Sequence, residues 1–307
     1  MKPERILVTG GAGFIGSHTV DLLLKEDKQV VVLDNLSSGK ILNLDLQHPN
    51  LEFIEGDILE YPLVADLLVG CDAVMHLAAI ASVPLSIENP IYTFQVNTQG
   101  FLHVLEAVRK AKRAIRIVYA SSAAVYGEAN DLPCRDDMPL SNRALSPYAL
   151  QKVNNEQYAA LYTTLYDIPS LALRYFNVYG PRQDPASPYS GVISRFLEKY
   201  LNGEELIVFG DGQQSRDFIY VKEVALANWQ AIQSNHQGAL NIATGQAQTL
   251  LNLITCIEAA GHKPTHYKLE AARVGDIKSS FATVKLAEQH LGFKYTVSLA
   301  DGVKDLF

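Results

Sequence analysis

The chain has 307 residues, enough for a substantial buried core and, by length, about two domains. With Lys and Arg scattered and a net charge of -7, it offers no basic patch for nucleic acid, so any anionic ligand must be held by local positive groups. No apolar run reaches membrane-spanning length, residues 1–5 carry no signal-peptide pattern, and neither the 3 cysteines nor the 8 histidines show metal-ligand spacing; a cytosolic protein with no membrane partner and no metal site is expected.

The first half of the chain alternates short apolar runs with helical patterns. Runs at residues 6–8, 29–34, 51–55, 73–77, 116–121 and 170–176 read as strands, and this rhythm predicts right-handed crossovers and a buried parallel sheet. Between the first run and the first helical pattern stands Thr9-Gly10-Gly11-Ala12-Gly13-Phe14-Ile15-Gly16. Gly10, Gly13 and Gly16 let the backbone approach a pyrophosphate at the positive end of a helix. The second run ends in Asp34, at the distance where a carboxylate accepts both adenine-ribose hydroxyls and repels a 2′-phosphate, which predicts NAD rather than NADP. Gly56-Asp57-Ile58, after the third run, either brackets the adenine or forms a plain Asx turn.

Two long helical stretches, about residues 90–111 and 147–166, are amphipathic with apolar outer faces. They supply either a homodimer interface or one buried flank of the sheet. The second stretch opens with Tyr148-Ala-Leu-Gln-Lys152. A spacing of four puts the tyrosine hydroxyl and the lysine ammonium on one helix face. The positive charge is expected to ease loss of the phenolic proton and make Tyr148 a base near neutral pH. After Phe176 the pattern is irregular, with Pro181, Pro185, Pro188 and Gly191, then Gly210-Asp211-Gly212, a helical stretch near 222–233, and a strand at 239–243 that could return to the first sheet. The expected fold is α/β, a Rossmann-type doubly wound parallel sheet with a smaller, interleaved C-terminal α/β substrate domain. The NAD-binding domain is placed over 1–176, with a returning segment near 217–243, and the substrate domain over 177–307.

The glycine loop, His76-Leu-Ala-Ala79, Ser121-Ser122-Ala-Ala-Val-Tyr-Gly127, Pro147-Tyr148 to Lys152, Arg174-Tyr-Phe-Asn177 and Arg216-Asp217-Phe218 form a specific combination. With them the chain resembles the extended short-chain dehydrogenase/reductases, and within these the nucleotide-sugar 4-epimerases, as far as Leu291-Gly292-Phe293. The resemblance implies that Tyr148 takes the proton of the sugar 4-hydroxyl as hydride leaves C4. Lys152 would hold the nicotinamide ribose and stabilise the phenolate, and Ser122 rather than Ser121 would bond O4. The 4-keto sugar then turns within the site and is reduced on its other face, so NAD is regenerated in each cycle. Cofactor contacts are implied for Phe14, Ile15, Asn35, Asp57, Ile58, Leu77, Ala78, Ala79, Asn97 and Tyr175. For the UDP-sugar, the resemblance assigns Asn177, Arg216 and Arg273 to the diphosphate and Asp276 to the uridine ribose. Val208 and Phe209 would flank the uracil, and Val192 would line the same site.

Three local features narrow the reaction. Ala123 and Ala124 stand where dehydratases and decarboxylating members of the family carry an acidic residue, which favours plain epimerisation. Ala81 replaces a lysine of many UDP-galactose epimerases, and Ser82-Val83-Pro84-Leu85-Ser86 resembles bacterial UDP-N-acetylglucosamine 4-epimerases of surface-polysaccharide pathways. Ser82 and Ser86 either offer hydroxyls to the sugar or shape the turn around Pro84. Ser280 occupies a position where a tyrosine restricts the family's pocket to plain hexoses, so serine leaves room for an acetamido group. The expected activity is reversible UDP-GlcNAc/UDP-GalNAc 4-epimerisation. Its alternatives are UDP-Glc/UDP-Gal epimerisation, then a uronic-acid substrate, and, from another class, a non-catalytic NAD-sensing regulator.

Overall fold

Strands that are apolar on both faces have to be covered on both, and the chain meets that demand with a parallel sheet between two helical layers. The computed structural model describes residues 3–129, 131–141, 143–184, 191–272 and 277–307. In the first half the strands are β1 (Arg5–Thr9), β2 (Gln29–Asp34), β3 (Leu51–Glu55), β4 (Ala73–His76), β5 (Arg116–Ser122) and β6 (Ser170–Tyr175). The second half adds β7 (Asn177–Tyr179), β8 (Leu206–Phe209), β9 (Ser215–Arg216), β10 (Phe218–Tyr220), β11 (Gly238–Ile242), β12 (Gln248–Thr249), β13 (Tyr267–Glu270) and β14 (Ser279–Ser280). Seven strands form one sheet in the order β11-β6-β5-β4-β1-β2-β3, every neighbour pair parallel. The chain runs outward from β1 to β3, then restarts at β4 on the other side of β1. That reversal leaves a crevice at the carboxyl ends of β1 and β4.

The helices are α1 (Phe14–Lys25), α2 (Tyr61–Leu68), α3 (Val83–Glu88), α4 (Pro90–Phe94), α5 (Gly100–Ala111), α6 (Pro147–Tyr166), α7 (Val192–Asn202), α8 (Val221–Gln233), α9 (Leu250–Gly261), α10 (Lys285–Leu291) and α11 (Leu299–Lys304). Alternate residues of β1 feed opposite cores, as a period of two requires. Ile6 and Val8 join Leu23, Trp229 and Ile232 under α1 and α8, whereas Leu7 joins Phe101, Leu105 and Tyr162 under α5 and α6. The stretch 90–111 is not one regular helix: a π-helical turn at Gln95–Gln99 separates α4 from α5. The wider turn leaves backbone groups to be satisfied elsewhere, and Asn155 Nδ2 donates to the Asn97 carbonyl at 2.8 Å.

Beyond the sheet, β8 pairs with β13, β7 with β10, and β12-β9-β14 form a small sheet of their own. A third core of Phe196, Tyr200, Leu206, Val208, Leu253 and Ile257 lies there. Asp217, wholly buried between β9 and β10, ties these pieces together. Its carboxylate accepts from Thr244 N at 2.8 Å, Thr244 Oγ1 at 2.6 Å, Gly245 N at 2.9 Å and Ala282 N at 3.4 Å. No helix among the described residues is long and apolar enough to cross a membrane.

Candidate active site

The chain leaves β1 at Thr9 and must turn sharply into α1. Gly10 makes the turn at φ +71°, and a Cβ there would lie 2.7 Å from Ala78 N; a Cβ at Gly16 would lie 2.0 Å from Gly10 O. The absence of side chains thus lets the loop, α1 and the exit of β4 close up. Gly13 precedes α1 and offers no side-chain cap, so the first helical N–H groups remain open beside a cavity of about 420 Å³. Gly10, Gly13, Phe14, Ile15 and Gly16 line its centre, with Leu77, Ala78 and Ala79 below. At the end of β2, Asp34 Oδ2 accepts from Ala12 N at 2.9 Å and Oδ1 from Leu36 N at 2.8 Å. Burial pushes the Asp34 carboxyl up, partly offset by those two N–H donors.

Asn35, Asp57 and Ile58 line the same end of the cavity. Asp57 Oδ1 closes an Asx turn on Leu59 N at 2.9 Å while Oδ2 accepts from Asn35 Nδ2 at 2.9 Å, so the turn and the position on the cavity wall coexist. Tyr175 lines the cavity from β6 and donates its hydroxyl to Asn228 Oδ1 at 2.6 Å. A helix N-terminus open to a pyrophosphate and a carboxylate at the end of β2 fit NAD, with Gly10 letting the loop close on the Leu77-Ala78 backbone beside them.

Asn97 departs from its expected place, for it does not line the cavity. Its amide grips both backbone groups of Ile80, with Oδ1 2.7 Å from Ile80 N and Nδ2 3.1 Å from Ile80 O, and also reaches Gln151 Oε1 at 2.8 Å. It fixes the loop after β4, which does line the cavity. Residue patterns gave no sign of Ser37, Tyr92, Val96 or Gln183 on the wall. Gln183 arrives there because residues 180–184 are tied across the crevice by contacts between remote segments. His18 Nε2 lies 2.9 Å from Pro181 O, Arg182 pairs with Asp21 at 2.8 Å, and Lys40 pairs with Asp184 at 3.1 Å.

Ser122, Tyr148 and Lys152 all line the cavity as well. Ser146 caps α6 by accepting from Ala149 N at 3.1 Å, and Pro147 opens the first turn, which sets Tyr148 at the mouth. The Ser122 hydroxyl acts on the Tyr148 phenol in the sense that lowers its pKa. Lys152 Nζ donates to Ala120 O at 2.8 Å and sits 5.8 Å from the Tyr148 ring centroid. The expected easing of the phenol proton does not follow from the lysine alone. Burial pushes the Tyr148 phenol above its ordinary value, with only the Ser122 hydroxyl acting against it. Burial also lowers Lys152, to about 8, with Glu156 acting in the opposite sense. Ser121 is committed elsewhere, donating to Glu156 Oε1 at 2.5 Å.

Asn177 is exposed on the cavity wall at the head of β7. Arg216 on β9 and Ser280 on β14 are register partners in a parallel pair, both half-buried, and Arg216 Nη1 donates to Ser215 O at 2.8 Å. Val208 is not placed to flank a base with its side chain: on β8 it points wholly into the third core, because the strand's alternation buries positions 206 and 208. Phe209, the next residue, is half-buried. Val192 opens α7 and packs against that same core. Ser82 and Ser86 are buried off the cavity wall in turn-forming roles. Ser82 Oγ caps α3 at Leu85 N, 3.0 Å away, while Ser86 Oγ donates to Val83 O at 2.7 Å and accepts from Tyr148 N at 3.1 Å. Arg273 and Asp276 lie outside the described residues. Among the described residues no group of His, Cys, Asp and Glu is arranged to hold a metal ion.

Residues 6–243 match the family model of the NAD dependent epimerase/dehydratase family. A putative UDP-glucose 4-epimerase of Methanocaldococcus jannaschii is 41% identical over 301 residues, covering 97% of this chain and 96% of that protein. Among solved structures, a UDP-N-acetylglucosamine 4-epimerase from Methanobrevibacter ruminantium, in complex with UDP-N-acetylmuramic acid, superposes with a TM-score of 0.93 at 40% identity, covering 100% of this chain and 99% of that one. UDP-glucose 4-epimerase from Thermotoga maritima, with UDP-glucose, gives 0.92 at 36% identity, covering 98% and 96%. With the glycine loop, the β2 carboxylate and the Ser-Tyr-Lys cluster gathered at one crevice, and the match extending over most of its length, the chain belongs to the NAD dependent epimerase/dehydratase family.

Proposed function

We propose that the protein is a UDP-sugar 4-epimerase whose preferred substrates are UDP-GlcNAc and UDP-GalNAc, acting through a 4-keto sugar. Bound NAD supplies the oxidation and re-reduction at the sugar carbon. The chain's residues bind, orient and move the proton. Tyr148 takes it from the 4-hydroxyl and returns it, Ser122 holds O4 and relays, and Lys152 favours the charged phenolate. Gly10, Gly13 and Gly16 admit the pyrophosphate of the cofactor and Asp34 its adenine ribose. Ala123 and Ala124 provide no acid or base, which supports epimerisation over elimination. The substrate domain, residues 177–307, supplies Asn177 and Arg216 to the diphosphate, and the active form is a homodimer through α4 to α5 and α6.

The observation that carries the acetylated sugar is the pairing of Ser280 with Arg216. Register partners on a parallel pair present their side chains on one face, so the small residue adjoins the cation assigned to the diphosphate. The similarity to the M. ruminantium enzyme supports the same reading. The M. jannaschii and T. maritima proteins, both named for UDP-glucose, favour plain hexoses as the second reading. Separate incubations with UDP-GlcNAc and UDP-Glc, followed by NMR, divide the two. Ser280→Tyr adds a ring where overpacking costs about 1–3 kcal/mol, and is expected to lower kcat/KM for the acetylated pair about 5- to 150-fold while sparing UDP-Glc and UDP-Gal. Equal losses on both pairs would overturn the assignment of Ser280.

A further inference from the structure

Glu156 follows Lys152 by one turn of α6 and Tyr148 by two, so the three side chains share a face. Three consecutive residues at the end of β5 engage them: Ala120 O accepts from Lys152, Ser121 Oγ donates to Glu156, and the Ser122 hydroxyl acts on the Tyr148 phenol. Behind Glu156 stands Arg174 of β6, with Nε 3.0 Å from Oε1 and Nη2 2.7 Å from Oε2. Arg174 Nη1 also donates to Tyr126 OH at 2.8 Å and Asp136 O at 2.9 Å, and Tyr126 donates to Asn241 Oδ1 at 2.6 Å. The carboxylate is therefore held from both sides and cannot swing. The Glu156 and Arg174 side chains are only 7% and 5% exposed. A buried pair of this kind is costly to desolvate, and apolar residues of the same volume would hold β6 to α6 at least as well. Its charge calls for another purpose.

The groups around Lys152 indicate which. His76 of β4, 2.8 Å from Thr9 Oγ1 through Nδ1, is held near pKa 3 by burial and by Lys152 itself, and so stays neutral. Burial keeps the phenols of Tyr119 on β5 and Tyr148 on α6 protonated, and Arg174 on β6 is a cation. Within this group Glu156 carries the negative charge, and it opposes the loss of the Lys152 proton that burial promotes.

We propose that Glu156 is a positioning residue for the epimerase reaction: anchored by Arg174, it fixes the Ser121-Ser122 end of β5 against Tyr148 and sets a carboxylate one helical turn from the Lys152 ammonium. This rests on the reading that Tyr148 and Lys152 carry the chemistry.

The test is the pH dependence of kcat for the NAD-loaded enzyme on whichever UDP-sugar the wild type turns over. Glu156→Gln keeps the shape and removes the charge. Because an opposite charge within about 4–6 Å moves a pKa by about 1 unit or more, the basic limb of the profile is expected to fall by about 1 pH unit. Glu156→Gln/Arg174→Met also removes the cation that Glu156→Gln leaves unpaired, so it covers the case in which the single variant fails to fold, and a smaller fall in the same direction is expected. Glu156→Asp keeps the charge and shortens the reach to Ser121; it is expected to restore the limb while kcat stays reduced. A basic limb that does not move in the Gln variants would overturn the proposal. Tyr148→Phe separates the two failures: if it still turns over, the underlying reading of the site is wrong, whereas an inactive Tyr148→Phe beside an unmoved limb removes the role of Glu156 alone.

Discussion

Burial pushes the Tyr148 phenol above its ordinary value and so favours the neutral form, while Lys152 Nζ lies 5.8 Å from the ring centroid. As a neutral phenol Tyr148 can give a proton, and to take one from the 4-hydroxyl it must first ionise, which the neighbouring positive charge of Lys152 favours. Tyr148→Phe is therefore expected to reduce kcat about 10²- to 10⁴-fold while leaving NAD bound, as measured by epimer formation and by the cofactor released on denaturation. Ser122→Ala should lower kcat more than it raises KM, because O4 positioning counts most as charge develops. Ser121→Ala removes one hydrogen bond to a carboxylate that Arg174 still satisfies, and should loosen the β5 end, costing about 1 kcal/mol of stability and lowering kcat by less than Ser122→Ala does. A larger loss of kcat in Ser121→Ala than in Ser122→Ala would reverse the assignment of the serines. The choice between them was readable in the sequence only through the resemblance; the structure adds the reason, since the hydroxyl of Ser121 is already taken.

α6 has two working faces. The inner one carries Tyr148, Lys152 and Glu156, while Leu150, Tyr158, Leu161 and Leu165 stand exposed on the other, next to Ile87 of α3 and Ile91 and Phe94 of α4. So many large apolar residues on adjoining helices are unfavourable in water unless covered. A second copy of the chain would cover them, and Leu161→Glu places a charge in the middle of that face. Sedimentation velocity at micromolar concentration is expected to show a dimer for the wild type and a monomer for Leu161→Glu. A monomeric wild type would sink the proposed homodimer. The apolar outer faces were legible in the helical periodicity, but the π-helical turn at Gln95–Gln99 was not. It answers to Asn155, which lies on α6 and far along the sequence.

Across the whole molecule, Asp217 gathers donors from residues 244, 245 and 282, and so sets Arg216 and Ser280 in place relative to the main sheet. Asp217→Ala would leave these donors buried without partners, at a penalty of about 1–3 kcal/mol for each lost one that water cannot reach. A total loss of about 3 kcal/mol or more is expected in equilibrium urea unfolding, together with a raised KM for the UDP-sugar. Unchanged stability would show that the small sheet is held by its apolar core alone. The motif Arg216-Asp217-Phe218 was visible in the sequence, yet nothing in its spacing revealed that the aspartate works by joining three separate segments.

What the sequence by itself determined follows from local periodicity and local chemistry. The sheet strands of the first half were placed to within about a residue or two because parallel strands buried on both faces read as unbroken apolar runs. The glycine turn, Asp34 and the Tyr-Lys face of α6 were equally legible, since each depends on neighbours within one turn or one strand end. Only the tertiary structure decided the rest. Val208 belongs to a core and Asn97 to a loop clamp because β8 and the π-helical turn direct them there. The opposite shifts of Tyr148 and Lys152 follow from burial, and the anchoring of Glu156 from Arg174, one strand away. Burial and long-range pairing are properties of the packed chain, and no spacing along the sequence encodes them separately from it.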